Sequence, residues 1–176
     1  MGTGRVLALC MGAFSLGVAA IAAPVIAQSR VNPFAADLLE QHNQARDRVG
    51  VPRLRWSQKL AREAQGWANE LAVKGRMEHA DRARLAGSGE NLWMGAAGYY
   101  GPDTMIGMFV EERRHYRHDT FPNVSTTGKW RDVGHYTQVI WRDTQEVGCA
   151  VARGRADDFL VCRYFPAGNT YGRMAY

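Results

Sequence analysis

Apolar residues recur at helical spacing through the first half of the chain. One stripe has steps of three or four positions and consists of Phe34, Leu38, His42, Ala45 and Val49. A second stripe consists of Leu60, Ala61, Ala64, Trp67, Ala68 and Leu71. Such steps place the residues on one face of an α-helix. Asn32-Pro33 is typical of a helix start and Gly75 of a helix end, and a third helix is predicted over residues 102–116.

The C-terminal part of the chain has the patterns of β-strands. Residues 135–141 alternate in character, which predicts a strand. Further strands are predicted over residues 54–56, 90–93, 147–153 and 159–164. Because helices come first and strands mostly last, the predicted fold class is α+β.

The last two predicted strands form a hairpin that brings two cysteines together. If its loop is Arg155-Ala156, Cys149 lies directly opposite Cys162. A non-hydrogen-bonded antiparallel pair brings Cα atoms close enough for a disulfide. We therefore predict a Cys149–Cys162 disulfide.

The N-terminus has the pattern of a secretory signal peptide. Residues 6–27 carry no charge and end in Val25-Ile26-Ala27, with small residues where a signal peptidase cleaves. Cleavage between Ala27 and Gln28 leaves a single domain, residues 28–176, that is secreted, extracellular or periplasmic. The alternative is an uncleaved membrane anchor, because a stretch of this length can span a bilayer.

Composition narrows the classes of partner. The chain is 46% hydrophobic and 22% charged, as is usual for a globular domain. Its formal net charge of +5 is spread without a basic run, so nucleic-acid binding is not expected. The mature chain is expected to be monomeric.

The third predicted helix places a carboxylate on its apolar face. Met105, Phe109 and Tyr116 lie on the same side of the helix as Glu112, whereas Glu111 points about 100° away. A carboxylate among apolar residues is costly unless a partner compensates its charge. The alternatives for Glu112 are an edge position or a hydrogen bond to a backbone amide.

The histidines divide by their surroundings. His135 begins an alternating segment and is a ligand or a satisfied core residue. His79 and Glu90, taken alone, are a surface histidine and an exposed carboxylate. His42 lies on an apolar helix face and is interpreted as a hydrogen-bonded core residue. His115 and His118 are spaced to chelate a metal but also suit a solvated helix end.

Several sequence blocks resemble, in order, those of the CAP superfamily. Residues 134–141, GHYTQVIW, with Thr144 after them, resemble the family's first signature, and residues 159–169, FLVCRYFPAGN, resemble its second. Further blocks are His42-Asn43 with Arg46, residues 89–92, GENL, and residues 147–149, VGC. This superfamily comprises cysteine-rich secretory, antigen 5 and pathogenesis-related-1 proteins. The pattern is most like that of the plant pathogenesis-related-1 members.

The resemblance implies a three-layer α-β-α sandwich with a central antiparallel sheet. It also implies a cleft lined by His79, Glu90, Glu112 and His135. In the family, the two histidines often hold a divalent metal and the two glutamates bind its waters. Ala80 and Phe109 depart from the usual Ser and Trp, and this domain has cysteines for one disulfide rather than the three of its plant relatives.

Three functions are compatible with this resemblance. The first is an extracellular binding or interaction protein whose cleft binds Zn²⁺ or another divalent metal. The second is a carrier of a sterol or fatty acid. The third is a metal-dependent hydrolase that uses a metal-bound water and a glutamate base. The sequence favours the first and singles out no catalytic residue outside the four cleft residues.

Overall fold

Two helices begin where the sequence predicts, and the second also ends there, whereas the first ends two residues before Val49. In the computed structural model, which describes residues 1–2 and 32–176, α1 spans Pro33–Asp47 and α2 spans Gln58–Lys74. The Asn32 side chain accepts a hydrogen bond from the Ala35 amide at 2.8 Å, which satisfies a free donor of the first turn. Gly75 ends α2 in the left-handed region at φ 65°, where glycine has no steric penalty.

Four strands form one sheet, in the order β1-β3-β4-β2. Their bounds are Arg55–Trp56 for β1, Gly89–Ala96 for β2, Glu146–Arg153 for β3 and Asp157–Phe165 for β4. β2, β3 and β4 form the predicted antiparallel sheet, and the two-residue β1 joins its edge parallel to β3. No hairpin turn fixes the direction of β1, since it leads directly into α2.

The β3–β4 hairpin has the predicted register. Cys149 pairs with Cys162, and their sulfurs are bonded. The Gly154 amide donates to the Asp157 carbonyl at 2.7 Å and closes the turn around residues 155–156. The predicted disulfide is therefore present.

Helices cover both faces of the sheet. Along β4, Phe159 and Val161 pack with the buried face of α2, which carries Ala64, Trp67 and Leu71. The alternate residues Leu160, Cys162 and Tyr164 pack on the opposite side, with Leu38 of α1 and with the helices that follow β2. This arrangement gives the predicted three-layer α-β-α sandwich.

The third predicted helix is shorter than expected. α4 spans Pro102–Glu111, following a four-residue α3 at Arg82–Leu85. The chain then tightens into a 3₁₀ turn at Glu112–His115, and Tyr116 is extended. The tighter turn keeps Glu112 on the inner side, facing the helix that follows.

The strand predicted over residues 135–141 is wrong. This segment forms α5, Gly134–Val139, after a 3₁₀ turn at Trp130–Val133. Every residue from 136 to 141 is buried, including the polar Thr137 and Gln138. The polar positions therefore do not mark a solvent-facing side, which is what a half-buried strand requires.

Charged side chains from other helices hold both ends of α5. At the start, the Glu112 carboxylate accepts hydrogen bonds from the amides of His135 and Tyr136 at 2.9 and 3.1 Å. Beyond the end, the buried Arg46 guanidinium donates to the carbonyls of Val139 and Trp141, both at 2.9 Å. A carboxylate at the amino end and a cation at the carboxyl end both stabilise a helix.

The predicted signal peptide and its cleavage site lie outside the described residues. Among the residues that the structure does describe, no helix is both long enough and apolar enough to cross a bilayer.

Candidate functional site

His79 is held by the first of two imidazole–carboxylate pairs. Its Nδ1 lies 2.7 Å from Glu90 Oε1, which also accepts the Ala80 amide at 3.1 Å. The His79 side chain is 64% exposed and the Glu90 side chain only 2%. Because a carboxylate only accepts, Nδ1 carries the proton and Nε2 presents its lone pair.

The buried charge of Glu90 is compensated by Arg163. The two residues are directly opposite each other on β2 and β4, and Glu90 Oε2 lies 3.0 Å from Arg163 Nη2. This contact is an ion pair without hydrogen-bond alignment, so within the described chain Glu90 Oε2 has no hydrogen-bond partner. Burying a carboxylate this deeply is costly unless a countercharge is buried with it.

His135 belongs to the second pair. Its Nδ1 lies 2.6 Å from Glu112 Oε1, and its ring stacks on Phe109 with centroids 4.9 Å apart. Glu112 Oε2 is the oxygen that accepts the first amides of α5. The Glu112 side chain is 21% exposed and lies on the inner side of its helix, as the helical wheel predicted, where it contacts His135.

Three of the four predicted residues line one cleft of about 540 Å³. These are His79, Glu90 and His135, whereas Glu112 contacts His135 without lining the cleft. The other lining residues are Asn91, Phe121, Trp130, Arg131, Gly134, Asn169 and Tyr171. The structure thus brings the two imidazoles to one cleft and connects each to its own carboxylate.

A chain of buried hydrogen bonds joins the cleft to α1. Asn91 donates to the His135 carbonyl at 3.1 Å and to the Tyr164 hydroxyl at 3.2 Å. That hydroxyl donates to His42 Nε2 at 2.7 Å, and His42 Nδ1 donates to the Leu38 carbonyl at 2.7 Å. His42 is thus the satisfied core residue that the sequence indicated, and burial lowers its pKa to about 4.

Gly89 is required where β2 meets α5. A Cβ atom at this position would lie 2.0 Å from Gln138 Oε1. That oxygen is fixed, because it accepts the Gly168 amide at 2.9 Å. The small residue before Glu90 therefore allows α5, which carries His135, to pack against the start of β2.

The donor set suits a divalent metal at low affinity. Within the described chain, the Nε2 atoms of His79 and His135 make no hydrogen bond, and imidazole nitrogen is a common zinc ligand. Of the described residues, only His42, Cys149 and Cys162 bring three possible ligand atoms within 4.8 Å of one another, and the disulfide removes both of those thiols. No such group of three occurs at the cleft among the described residues, so the chain offers a single ion there at most the two imidazoles.

Comparisons with known proteins agree with the fold and the sequence blocks. The profile of the CAP family, described as the cysteine-rich secretory protein family, matches residues 39–164. The chain belongs to the CAP family. It is 36% identical to pathogenesis-related protein 1C of Nicotiana tabacum over 141 residues, which is 80% of this chain and 79% of the tobacco protein.

Solved structures resemble this CAP domain over most of its length. BmVAL-1 superposes with a TM-score of 0.70 at 23% identity, over 85% of each chain. NaASP2, in a crystal structure with Zn²⁺, gives a TM-score of 0.69 at 22% identity, over 85% of this chain and 88% of that one. At these identities the resemblance establishes the fold.

The carboxylates of this CAP domain are more fully engaged than the family resemblance implied. Glu112 accepts three hydrogen bonds, and Glu90 binds both an imidazole and an arginine. Their observed partners are the histidine Nδ1 atoms, as in carboxylate–histidine–metal arrangements in which the carboxylate orients the ligand.

Sequence reasoning missed two arginines at this site. Arg163 lies in a strand segment that is otherwise apolar, and the logic that singled out Glu112 would have identified it too. Arg131 lies four residues before His135, and its side chain gives no periodic signal. The alternative pair, His115 and His118, lies outside the residues that line the cleft, and the His118 ring is tilted against that of Tyr176.

Proposed function

We propose that this CAP-domain protein is an exported binding protein whose cleft binds a divalent metal, most naturally zinc, through His79 and His135. One observation carries the proposal: each imidazole donates its Nδ1 proton to a glutamate, so that each Nε2 lone pair remains for a metal. The metal would supply positive charge and open coordination positions in the cleft.

The state of the carboxylates favours binding over hydrolysis. A metal-dependent hydrolase needs a carboxylate that can take a proton from a metal-bound water. Glu112 and Glu90 are committed to imidazoles, amides and a guanidinium. The hydrolase and the sterol or fatty-acid carrier remain alternative predictions. Assays for turnover test the first, and mass spectrometry of co-purifying ligands tests the second.

Export is supported by two independent features. The disulfide Cys149–Cys162 is of a kind that persists in oxidising compartments. The uncharged N-terminal stretch has the pattern of a signal peptide. We propose an extracellular or periplasmic location, in keeping with the secretory family to which the chain belongs.

Zinc titration of histidine variants tests the metal site. We expect His79→Ala and His135→Ala each to weaken zinc binding at least about 100-fold, since each removes one of two protein ligands. His118→Ala, at an exposed position, is the matched control and should bind zinc as the native protein does. Acidification should release the metal, because protons compete for the same nitrogens.

Two outcomes would contradict the proposed site. Zinc retained by the His79→Ala, His135→Ala double variant and lost from a His115→Ala, His118→Ala variant would move the site to the second pair. Unfolding on chelation, followed by far-ultraviolet circular dichroism, would make the metal structural. We expect the fold to survive chelation, since it has its own core and a disulfide.

A further inference from the structure

The cleft has an uncompensated positive charge. Of its lining residues, Glu90 is the one carboxylate, and Arg163 compensates its charge from within the protein. Arg131 lines the same cleft and forms no ion pair with any carboxylate in the described part of the chain. A metal held by the two histidines would add further positive charge, so electrostatics favour an anionic ligand.

Arg131 is held in a geometry suited to recognition. Its guanidinium carbon lies 4.9 Å from the centroid of the Trp130 ring, a cation–π arrangement. Its N–H groups have no acceptor in the described part of the chain, and they match the two oxygens of a carboxylate. Because the side chain is exposed, a ligand can reach it without displacing a protein partner.

Aromatic rings lie beside this arginine and line the cleft. Phe121 contacts Trp130 and Tyr171, with ring centroids 5.2 Å apart in each case. Tyr171 is 67% exposed, so a bound molecule can cover its ring. Phe121 itself is buried and packs against the other two rings. We call Phe121, Trp130 and Tyr171 the aromatic wall, and Tyr171 is its exposed ring. Such a wall binds ligands that have a flat or apolar ring face.

We propose that the cleft binds a carboxylate carried on a ring, with Arg131 receiving the carboxylate and the aromatic wall receiving the ring. The contribution of the metal rests on the proposed function, whereas the contribution of Arg131 does not. A carboxylate is favoured over a phosphate because the single positive charge of Arg131 balances the single negative charge of a carboxylate, whereas a phosphate monoester carries nearly two. The ring can be that of an aromatic acid or of an acidic sugar.

Binding measurements with matched acids and esters test the proposal. The probes are 2-naphthoate and trigalacturonate, each compared with its methyl ester, which keeps the ring and removes the charge. Calorimetry on the full mature chain should give at least one acid that binds about tenfold more tightly than its ester, as expected for one charge-assisted hydrogen-bonding group. The acid that shows this preference identifies the source of the ring.

Variants separate the charge from the aromatic wall. Arg131→Gln should weaken binding of the acid about tenfold and leave the ester unchanged. Arg62→Gln, at an exposed arginine of α2 that lines a different groove, is the control and should change neither. Tyr171→Ala should weaken acid and ester by the same factor, because it removes ring contact and no charge.

The outcomes distinguish this inference from the metal proposal. Zinc binding is measured separately on the ligand-free protein. If zinc binds but neither acid binds better than its ester, or Arg131→Gln behaves like Arg62→Gln, the ligand inference is overturned and the metal proposal stands. If zinc does not bind but the preference for acid persists and depends on Arg131, the metal proposal fails and the ligand inference is supported.

Discussion

The β3–β4 hairpin and the α5 segment both alternate in residue character along the sequence, but the hairpin consists of strands and α5 is a helix. In the hairpin, neighbouring residues alternate between two apolar layers, and the register follows from a tight turn. In α5 an alternating pattern is overridden, and the chain is helical. The hairpin pairs residues near in sequence, whereas α5 depends on Arg46 and Glu112, which lie on distant helices.

Replacing Arg46 should give the largest loss of stability, because this residue holds the end of α5. The guanidinium remains charged at neutral pH, although burial lowers its pKa to about 10. Arg46→Met leaves the carbonyls of Val139, Trp141 and Thr144 without their buried donor. We expect the free energy of unfolding in urea to fall by about 4 kcal/mol.

Arg48, an exposed arginine two residues after Arg46, provides the control. Arg48→Met should change the free energy of unfolding by less than about 0.5 kcal/mol. Arg46→Lys keeps the charge with fewer donors and should be intermediate. If Arg46→Met is no more destabilising than Arg48→Met, the guanidinium does not hold α5 in place.

Lowering the pH should destabilise the fold through His42, which is hydrogen-bonded to Tyr164 in the β3–β4 hairpin. His42 has a pKa of about 4 in the folded protein, below its ordinary value of 6.5, because it is buried. Above pH 6.5 it is neutral in both states. Between pH 6.5 and 4 only the unfolded chain takes up this proton, so its contribution to stability falls by about 3 kcal/mol in all.

The test compares the pH dependence of unfolding in the native protein with that in a His42→Gln variant. His42→Gln removes the titrating group, and its free energy of unfolding should be less dependent on pH between 6.5 and 4 than that of the native chain. An NMR titration of the His42 ring should show a neutral imidazole down to about pH 4. Equal pH dependence in both proteins would show that His42 protonates freely when folded.

Glu112→Gln should have the smallest effect on stability, and it tests whether Glu112 orients His135 for zinc binding. The amide can still accept from the α5 backbone, so we expect a loss of about 1 kcal/mol. Its NH₂ group would face His135 Nδ1 and favour the tautomer with a proton on Nε2, so zinc affinity should fall about 10- to 100-fold. Glu111→Gln, at the exposed neighbour, should alter neither quantity; an equal loss of zinc affinity there would contradict the role of Glu112.

Local information in the sequence determined much of the fold. Asn32, Pro33 and Gly75 specified helix ends, since capping needs only groups within one turn. The hairpin loop specified the position of Cys149 opposite Cys162, since register follows from loop length. The same kind of reasoning identified Glu112 as a carboxylate that needs a partner.

Contacts between segments that are distant in sequence set how α5 and the cleft are built. Residues 134–139 are helical because groups from α1 and from the turn after α4 satisfy the two ends of the helix and residues 136–139 are all buried. Glu90 orients His79 because β4 places Arg163 across from it. Local sequence patterns indicate which residues prefer burial, but they do not indicate which distant charged residues will lie close together. In this protein those charged residues stabilise the ends of α5 and orient the two histidines.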